Sequence, residues 1–344
     1  MLCVILSRLQ RFFPEDFAFT PASFLLPDEV VELEEYMRKN PNYTFIAKPS
    51  KGRGGDGIFL VRKFHELPRS ALTHDFLVQR YIENPYVFDK KKFDLRLYVV
   101  IKGVDPLEAY LCDEGLARFC TSNYAKPDHN NIRNLYMHLT NFSLNKNSDN
   151  FITPEEEFYK EGSNASKRLL TNIYKTLQAK GKDVRYLKKQ IANVVALTII
   201  AIEPYLKNAY HCFISGDNSQ SKCFQILGLD VLIDEQFNAW LMEVNANPSL
   251  NVYVDKELPN GDIEQTLCEL DKYVKSMLIA DTFKLVTNDA DHEDASPKVQ
   301  GSLKRILPDD SHQYAQYYLY SHAETIFQFL AGNRGSDSIS SSQF

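Results

Sequence analysis

The chain has little that could staple it covalently. Its six cysteines (Cys3, Cys112, Cys120, Cys212, Cys223 and Cys268) are scattered with no CxxC pair, in a chain of 344 residues that is long enough not to need disulfides. They are expected as reduced, packed thiols of a cytosolic or nuclear protein. Positive charge is in deficit too: 39 lysines and arginines face 45 acids, giving −6. That excludes a general nucleic-acid binder working by bulk charge and confines any phosphate site to a local cluster. Long apolar runs are also missing. The longest, at 193–202, falls short of the roughly 18–20 residues that span a bilayer. The opening Met1-Leu-Cys-Val-Ile-Leu6 has neither a basic flank nor a small-residue cleavage site, so it reads poorly as a signal peptide. No internal repeat is visible. What is present, 44% hydrophobic and 12% aromatic residues, supports one large core or two medium ones in a soluble, intracellular chain.

The patterning is α+β. A helix is predicted from Pro27 to Met37, with Val30, Leu33 and Met37 on one face. Short β-branched runs at 43–47 and 57–61 flank a glycine-rich stretch at 48–57, which reads as a hairpin with a long tip. Further strands are predicted at 76–82 and 94–102, and a hairpin at 107–119 turning on Asp113-Glu-Gly115. Helices follow at 155–180 and 184–208, then strands at 223–233 and 238–244 joined by a turn at 234–237. A helix at 262–285, an acidic loop at 286–312, a helix at 313–331 and a serine-rich end complete the chain.

Four features carry chemistry. Backbone amides of a glycine-rich loop can wrap phosphate oxygens, with Lys48 adding a point charge, although a flexible hairpin tip would look the same. Asp230 and Glu243 sit in apolar strands joined by a tight turn, where a carboxylate is costly unless paired or bound to a cation. With Asn245 two residues on, they offer the hard oxygens that suit Mg²⁺; the alternative is a structural network with arginines. Arg96 and Arg118 are likewise embedded among apolar residues, fit either for a phosphate or carboxylate ligand or for pairing with Asp94 and Glu114. The polar run His138-Leu-Thr-Asn-Phe-Ser-Leu-Asn-Lys146 fits a loop lining a site, or any capped turn. Together these point to phosphoryl transfer.

Six motifs in order carry a family resemblance over about residues 20–280: Ile46-Ala-Lys-Pro49 with its glycine loop, Val78-Gln-Arg-Tyr-Ile82, Lys92-Phe-Asp-Leu-Arg-Leu-Tyr98, Glu114-Gly-Leu-Ala-Arg-Phe119, His138-Leu-Thr-Asn141 with Lys146, and Gly228-Leu-Asp-Val-Leu-Ile233 leading to Leu241-Met-Glu-Val-Asn-Ala-Asn-Pro248. The sequence closely resembles the tubulin–tyrosine ligase-like enzymes, nearest their polyglutamylase branch. The resemblance implies an ATP-grasp fold, with nucleotide held between two mixed or antiparallel sheets flanked by helices. It divides the chain into a remnant of an N-terminal region (1–19), a central subdomain with the glycine loop (20–84), a C-terminal subdomain with the metal site (85–285) and an acidic loop with a C-terminal helix, partly disordered (286–344).

The implied reaction transfers the γ-phosphoryl group of ATP to a glutamate side chain of a tubulin tail, and the amine of a free glutamate then attacks the acyl-phosphate. Lys48, Gly54 and Gly55 would hold phosphates, and Gln79, Arg80, Tyr81 and Ile82 would read adenine. Lys92, Phe93, Asp94, Thr140 and Asn141 would complete the nucleotide pocket. Asp230, Glu243 and Asn245 would carry Mg²⁺, Arg96 would steady the transferring group, and Arg118, Ser143 and Lys146 would receive the incoming glutamate. The implied partners are microtubule acidic tails, with no nucleic acid or membrane. The implied setting is a monomer in the cytoplasm and cytoskeleton, with cilium, flagellum and basal body among its sites. Many members of the family carry a histidine where this chain has Ala246, and often a polar or basic residue within the glycine loop, where Arg53 and Gly54 stand here. A glycine ligase of the same family and a truncated, microtubule-binding pseudoenzyme are the rival readings. Basic candidates for the tail are Lys90 to Lys92, Lys102, Lys126, Arg133 and the segment 180–189.

Overall fold

The structure is a computed structural model that describes residues 2–50, 54–154, 157–214, 221, 223–257, 262–287 and 298–309. It is a mixed α+β architecture in which every strand pairing among the described residues is antiparallel. Strands β1 (Ser23–Leu26), β2 (Phe45–Pro49), β3 (Phe59–Val61) and β4 (Phe76–Arg80) form a small sheet in the order β1-β4-β2-β3. Helices α2 (Val30–Lys39) and α3 (Arg69–Thr73) accompany it, and Leu33 and Met37 of α2 bury against Phe45 and Val78.

The larger sheet is built on β6 (Lys91–Val104) and β7 (Leu107–Phe119), flanked by β9 (Gln225–Ile233) and β10 (Ala239–Asn245). Short strands β5 (Val87–Phe88) and β8 (Lys167–Leu169) extend it, and β11 (Tyr253–Glu257) and β12 (Ile263–Leu267) form a separate hairpin. Beyond β7, β14 (Leu303–Leu307) and β13 (Val299–Gln300) continue the large sheet, so the loop expected at 286–312 is in part sheet. Residues 288–297 and 310–344 lie outside the described residues, and with them the helix expected at 313–331.

Alternation along β6 sorts the large sheet into two faces. Phe93, Leu95, Leu97, Val99 and Ile101 point backwards into the main core, against α6 (Leu170–Ala179) and the long α7 (Val184–Phe213). Asp183 caps α7 by accepting from the Tyr186 N–H at 2.9 Å. Helix α1 (Leu2–Phe12) buries Ile5, Leu6 and Leu9 in this same core. The front face carries Asp94, Arg96, Tyr98 and Val100. Helix α8 (Glu269–Thr287) covers its Tyr98–Val100 half through Leu270, Val274 and Leu278, leaving the charged half open toward the small sheet.

Three expected elements take another form. Residues 107–119 are a single strand, because the turn-like Asp113-Glu-Gly115 is an irregularity within it: Leu97 pairs with Gly115 whereas Val99 pairs with Leu111. Gly115 is required there, since a Cβ would lie 2.5 Å from the Arg96 carbonyl. The buried Glu114 carboxylate accepts from the Gly115 and Thr171 N–H groups and from the Thr171 hydroxyl at 3.0, 3.1 and 2.7 Å, rather than from an arginine. Likewise the stretch before 170 contributes β8 and not a helix, and 263–267 is strand, with helix only from Glu269. All six cysteines are free, and among the described residues no helix is long and apolar enough to cross a membrane.

Candidate active site

A cleft lies between the small sheet and the open front of the large one. Its main cavity, about 310 Å³, is lined by Lys48, Gln79, Gly54, Gly55, Asn141 and Glu243, among others, with Leu2, Cys3 and Leu6 of α1 at one side. A smaller adjoining cavity of about 70 Å³ is lined by Tyr81, Lys92, Asp94, Arg118, Thr140 and Asp230. Lys48, Asn141 and Glu243 border both.

From the small sheet, β2 and β4 pair Ile46 with Gln79 and Lys48 with Leu77. The Lys48 ammonium donates to Gln79 Oε1 at 3.2 Å, and Gln79 Nε2 donates to Ser23 Oγ at 3.0 Å. Burial lowers the Lys48 pKa, partly opposed by the charges of Glu243 and Asp230 across the cleft. The glycine loop bends over residues 141–143. Gly54 and Gly55 have φ of +64° and +101°, and a Cβ on Gly54 would lie 2.9 Å from the Ser143 side chain. Arg53 lies outside the described residues.

The His138 segment supplies the far wall. Short helices α4 (Leu135–His138) and α5 (Phe142–Asn145) bracket Leu139, Thr140 and Asn141. Lys92 donates to Tyr81 Oη at 2.9 Å and to the His138 carbonyl at 2.8 Å, and burial pulls its pKa down to about 8. His138 itself is wholly buried between Tyr81 and Asn131, and its pKa falls to about 4, so it is a neutral structural group.

The floor is an ion-pair ladder across three strands. Arg96 donates to both Asp230 oxygens, at 2.5 and 3.1 Å, and Arg118 donates to both Asp94 oxygens, at 2.8 and 2.5 Å. Arg118 also meets Asp230 at 2.7 Å, and Thr140 donates to Asp94 at 2.7 Å. Burial would raise the Asp230 pKa, but Arg118 and Arg96 outweigh it and hold the carboxyl at about 2. Gly228 makes the ladder possible, because a Cβ there would meet Pro248 at 2.9 Å and the Arg96 side chain at 3.3 Å.

Glu243 reaches this face through a bulge. Leu241 pairs with Val231, yet Glu243 pairs with Asp230, so Met242 is the extra residue. Strict alternation would have sent Glu243 backwards with Leu241. Glu243 opens to the water of the cleft but is walled by protein. Burial and the neighbouring Asp230 raise its pKa, and it makes no hydrogen bond or ion pair among the described residues. Asn245 pairs with Gly228 and donates to its carbonyl at 3.4 Å, which leaves its amide oxygen free. No cluster of three or more His, Cys, Asp or Glu side chains suited to a metal occurs among the described residues. The donor set is two carboxylates and an amide, with one carboxylate lacking a cation, and this fits a hard divalent ion that completes its shell with water and phosphate.

Some expected residues fall elsewhere. Arg80 stacks on Tyr43, 4.2 Å from the ring centroid, and neither it nor Ile82 lines the cavities. Phe93 is buried against Phe88 and Phe119 on the back face. Arg118 is fully engaged with two aspartates and is not a free carboxylate receptor. Ser143 is exposed beside Gly54, and the half-buried Lys146 has no side-chain partner among the described residues. Lys102 is buried and pairs with Glu108 at 3.1 Å, which removes it from any docking surface. Sequence reasoning missed α1 as a cleft wall, although the spacing of Leu2, Leu6 and Leu9 carries an amphipathic signal.

Residues 1–294 match the model of the Tubulin-tyrosine ligase family. "Tubulin polyglutamylase TTLL11" of Homo sapiens is 40% identical over 286 residues, covering 81% of this chain and 40% of that protein. "Tubulin polyglutamylase TTLL6" of Mus musculus is 36% identical over 281 residues, covering 82% and 31%. "Tubulin polyglutamylase TTLL7" of Homo sapiens is 34% identical over 315 residues, covering 87% and 33%. The chain therefore spans 40% or less of the length of these relatives. The match runs through both sheets and every wall of the cleft, and by it the chain belongs to the tubulin-tyrosine ligase family.

Proposed function

We propose that the chain is an ATP-grasp ligase that joins free glutamate to glutamate side chains of tubulin tails through isopeptide bonds. The observation that carries this reading is the facing of Lys48 and the glycine loop, on one sheet, against the Glu243–Asp230 edge and its arginine ladder, on the other. ATP would lie in the cleft with its adenine beside Gln79 and Tyr81 and its phosphates under Gly54 and Gly55, contacted by Lys48 and Lys92. Asp230, Glu243 and the Asn245 amide oxygen would hold Mg²⁺, which neutralises charge on the phosphates.

An acceptor carboxylate oxygen attacks the γ-phosphorus and ADP leaves. The amine of free glutamate, having lost its proton, then attacks the acyl carbon, forming the amide and releasing phosphate. Arg96, fixed by Asp230, would steady the transferring group. Ser143, beside Gly54, and Lys146, three residues on, would receive the amino acid's carboxylates, and Arg118 would join them only by releasing an aspartate. Cytoskeletal association follows from the acceptor.

The test incubates the full chain with Mg-ATP, microtubules and labelled glutamate or glycine. Glutamate incorporation that Glu243→Gln abolishes is the expected result. Glycine incorporation alone would move the chain to the glycine-ligase reading, and microtubule binding with neither label would favour the pseudoenzyme.

A further inference from the structure

The corner between α6 and α7 concentrates positive charge in a chain that is net acidic. Lys175, Lys180, Lys182, Arg185, Lys188 and Lys189 fall within one helix–turn–helix segment with a single acid, Asp183, and that carboxylate is committed to capping α7. From Lys180 onward none of these cations pairs with an acidic side chain among the described residues. Nor are they all free to wave in solvent. The Lys180 ammonium lies 4.2 Å from the centroid of the Phe88 ring, Lys182 lies 5.4 and 5.6 Å from Tyr86 and Phe237, and Lys188 lies 4.7 Å from Tyr174. The rings fix where the ammonium groups stand at little entropic cost on binding. A shallow, open cavity of about 360 Å³ lies between Lys182, Arg185 and Lys188.

Helices α6 and α7 pack on the back of the large sheet, whereas Asp94, Arg118 and Asp230 face the cleft in front. A ligand on this corner is therefore separate from the reacting carboxylate. We infer that the α6–α7 corner is a docking platform for a second acidic peptide segment, distinct from the one modified in the cleft. Lysine point charges spaced around this open corner suit a run of glutamate carboxylates. A nucleic acid is longer and denser in charge, and would meet the acidic remainder of the surface. The choice of an acidic peptide rests on the ligase reading; the platform rests on the charge and ring geometry.

The test titrates a fluorescent glutamate-rich peptide of about ten residues into the full chain without ATP. Joint Lys182→Glu and Lys188→Glu substitution should weaken binding about tenfold or more, while Lys182→Arg with Lys188→Arg should keep it within about twofold. Arg185→Ala, at an exposed position with no ring contact, should weaken it about threefold and guards against misfolding of the double variant. Unchanged peptide affinity in the charge-swapped variants, with their melting temperature intact, would overturn the platform. So would loss of binding on Glu243→Gln alone, or tighter binding of single-stranded RNA or anionic vesicles through the same lysines. Peptide binding that follows the platform variants in a chain without ligase activity would sink the ligase reading and leave the platform standing.

Discussion

The two faces of β6 solve opposite problems with one backbone. Behind, five apolar side chains meet α6 and α7 and are stabilised by removal from water, which depends on area and not on direction. In front, Asp94 and Arg96 are held by pairing across β7 and β9, where every oxygen and guanidinium nitrogen needs a partner in a set geometry. The back should tolerate changes that conserve volume, and the front almost none. The lesson is that the front face is organised at the expense of freedom: Asp230 serves two arginines, so each member of the ladder fixes the others.

That contrast can be broken most severely at Asp230. Asp230→Ala leaves Arg96 and Arg118 short of a shared carboxylate and should cost about 3–5 kcal/mol in urea unfolding; a loss under about 1 kcal/mol would mean the arginines find water instead. On the back face, Leu97→Ala should cost about 3 kcal/mol while leaving ATP affinity near its starting value, and a large drop in affinity would show the faces to be coupled. Acid is a subtler probe. His138 binds its proton at about 4 when folded, against about 6.5 for a free imidazole, so between those values the unfolded chain holds more protons. Stability should fall as pH drops through that window, by about 3 kcal/mol in all, and level off below it; a slope unchanged in His138→Gln would assign it elsewhere. Gly54→Ala should cost about 1–2 kcal/mol and weaken nucleotide binding, measured by ATP titration. The smallest effect is at the exposed Lys304–Asp113 pair, where Lys304→Ala should change stability by under about 0.5 kcal/mol.

What could be read in the sequence follows the same division. β6, β9 and β10 announce themselves because single charges interrupt otherwise apolar runs, and those charges proved to meet in space. The metal and the pairing readings of Asp230 are not exclusive: Asp230 is in the arginine network, and Glu243 beside it is the unpaired acid. Sequence reasoning offered the nearby Asp94 and Glu114 as partners for Arg96 and Arg118, but nothing local shows that Asp94 goes to Arg118 or that Asp230 claims both arginines. β7 was hidden by Asp113-Glu-Gly115, whose residue types signal a turn although their partners are Thr171 and the close-packed Arg96 carbonyl. The edge strand β13 and its neighbour β14 lacked an apolar alternation strong enough to separate them from loop.

The bulge at Met242 places an unusual demand on the hairpin that carries it. Which side of the sheet Glu243 occupies is decided by counting, odd or even, and not by the chemistry of its neighbours. Straightening the bulge at unchanged length would keep every functional side chain and still turn the acid away from the cleft, whereas deleting Met242 would make Glu243 the immediate neighbour of Leu241 and leave it facing the cleft. Over this short span the pairing register matters more than the spelling, and variants that hold Glu243 opposite Asp230 are the ones that keep the acid facing the cleft.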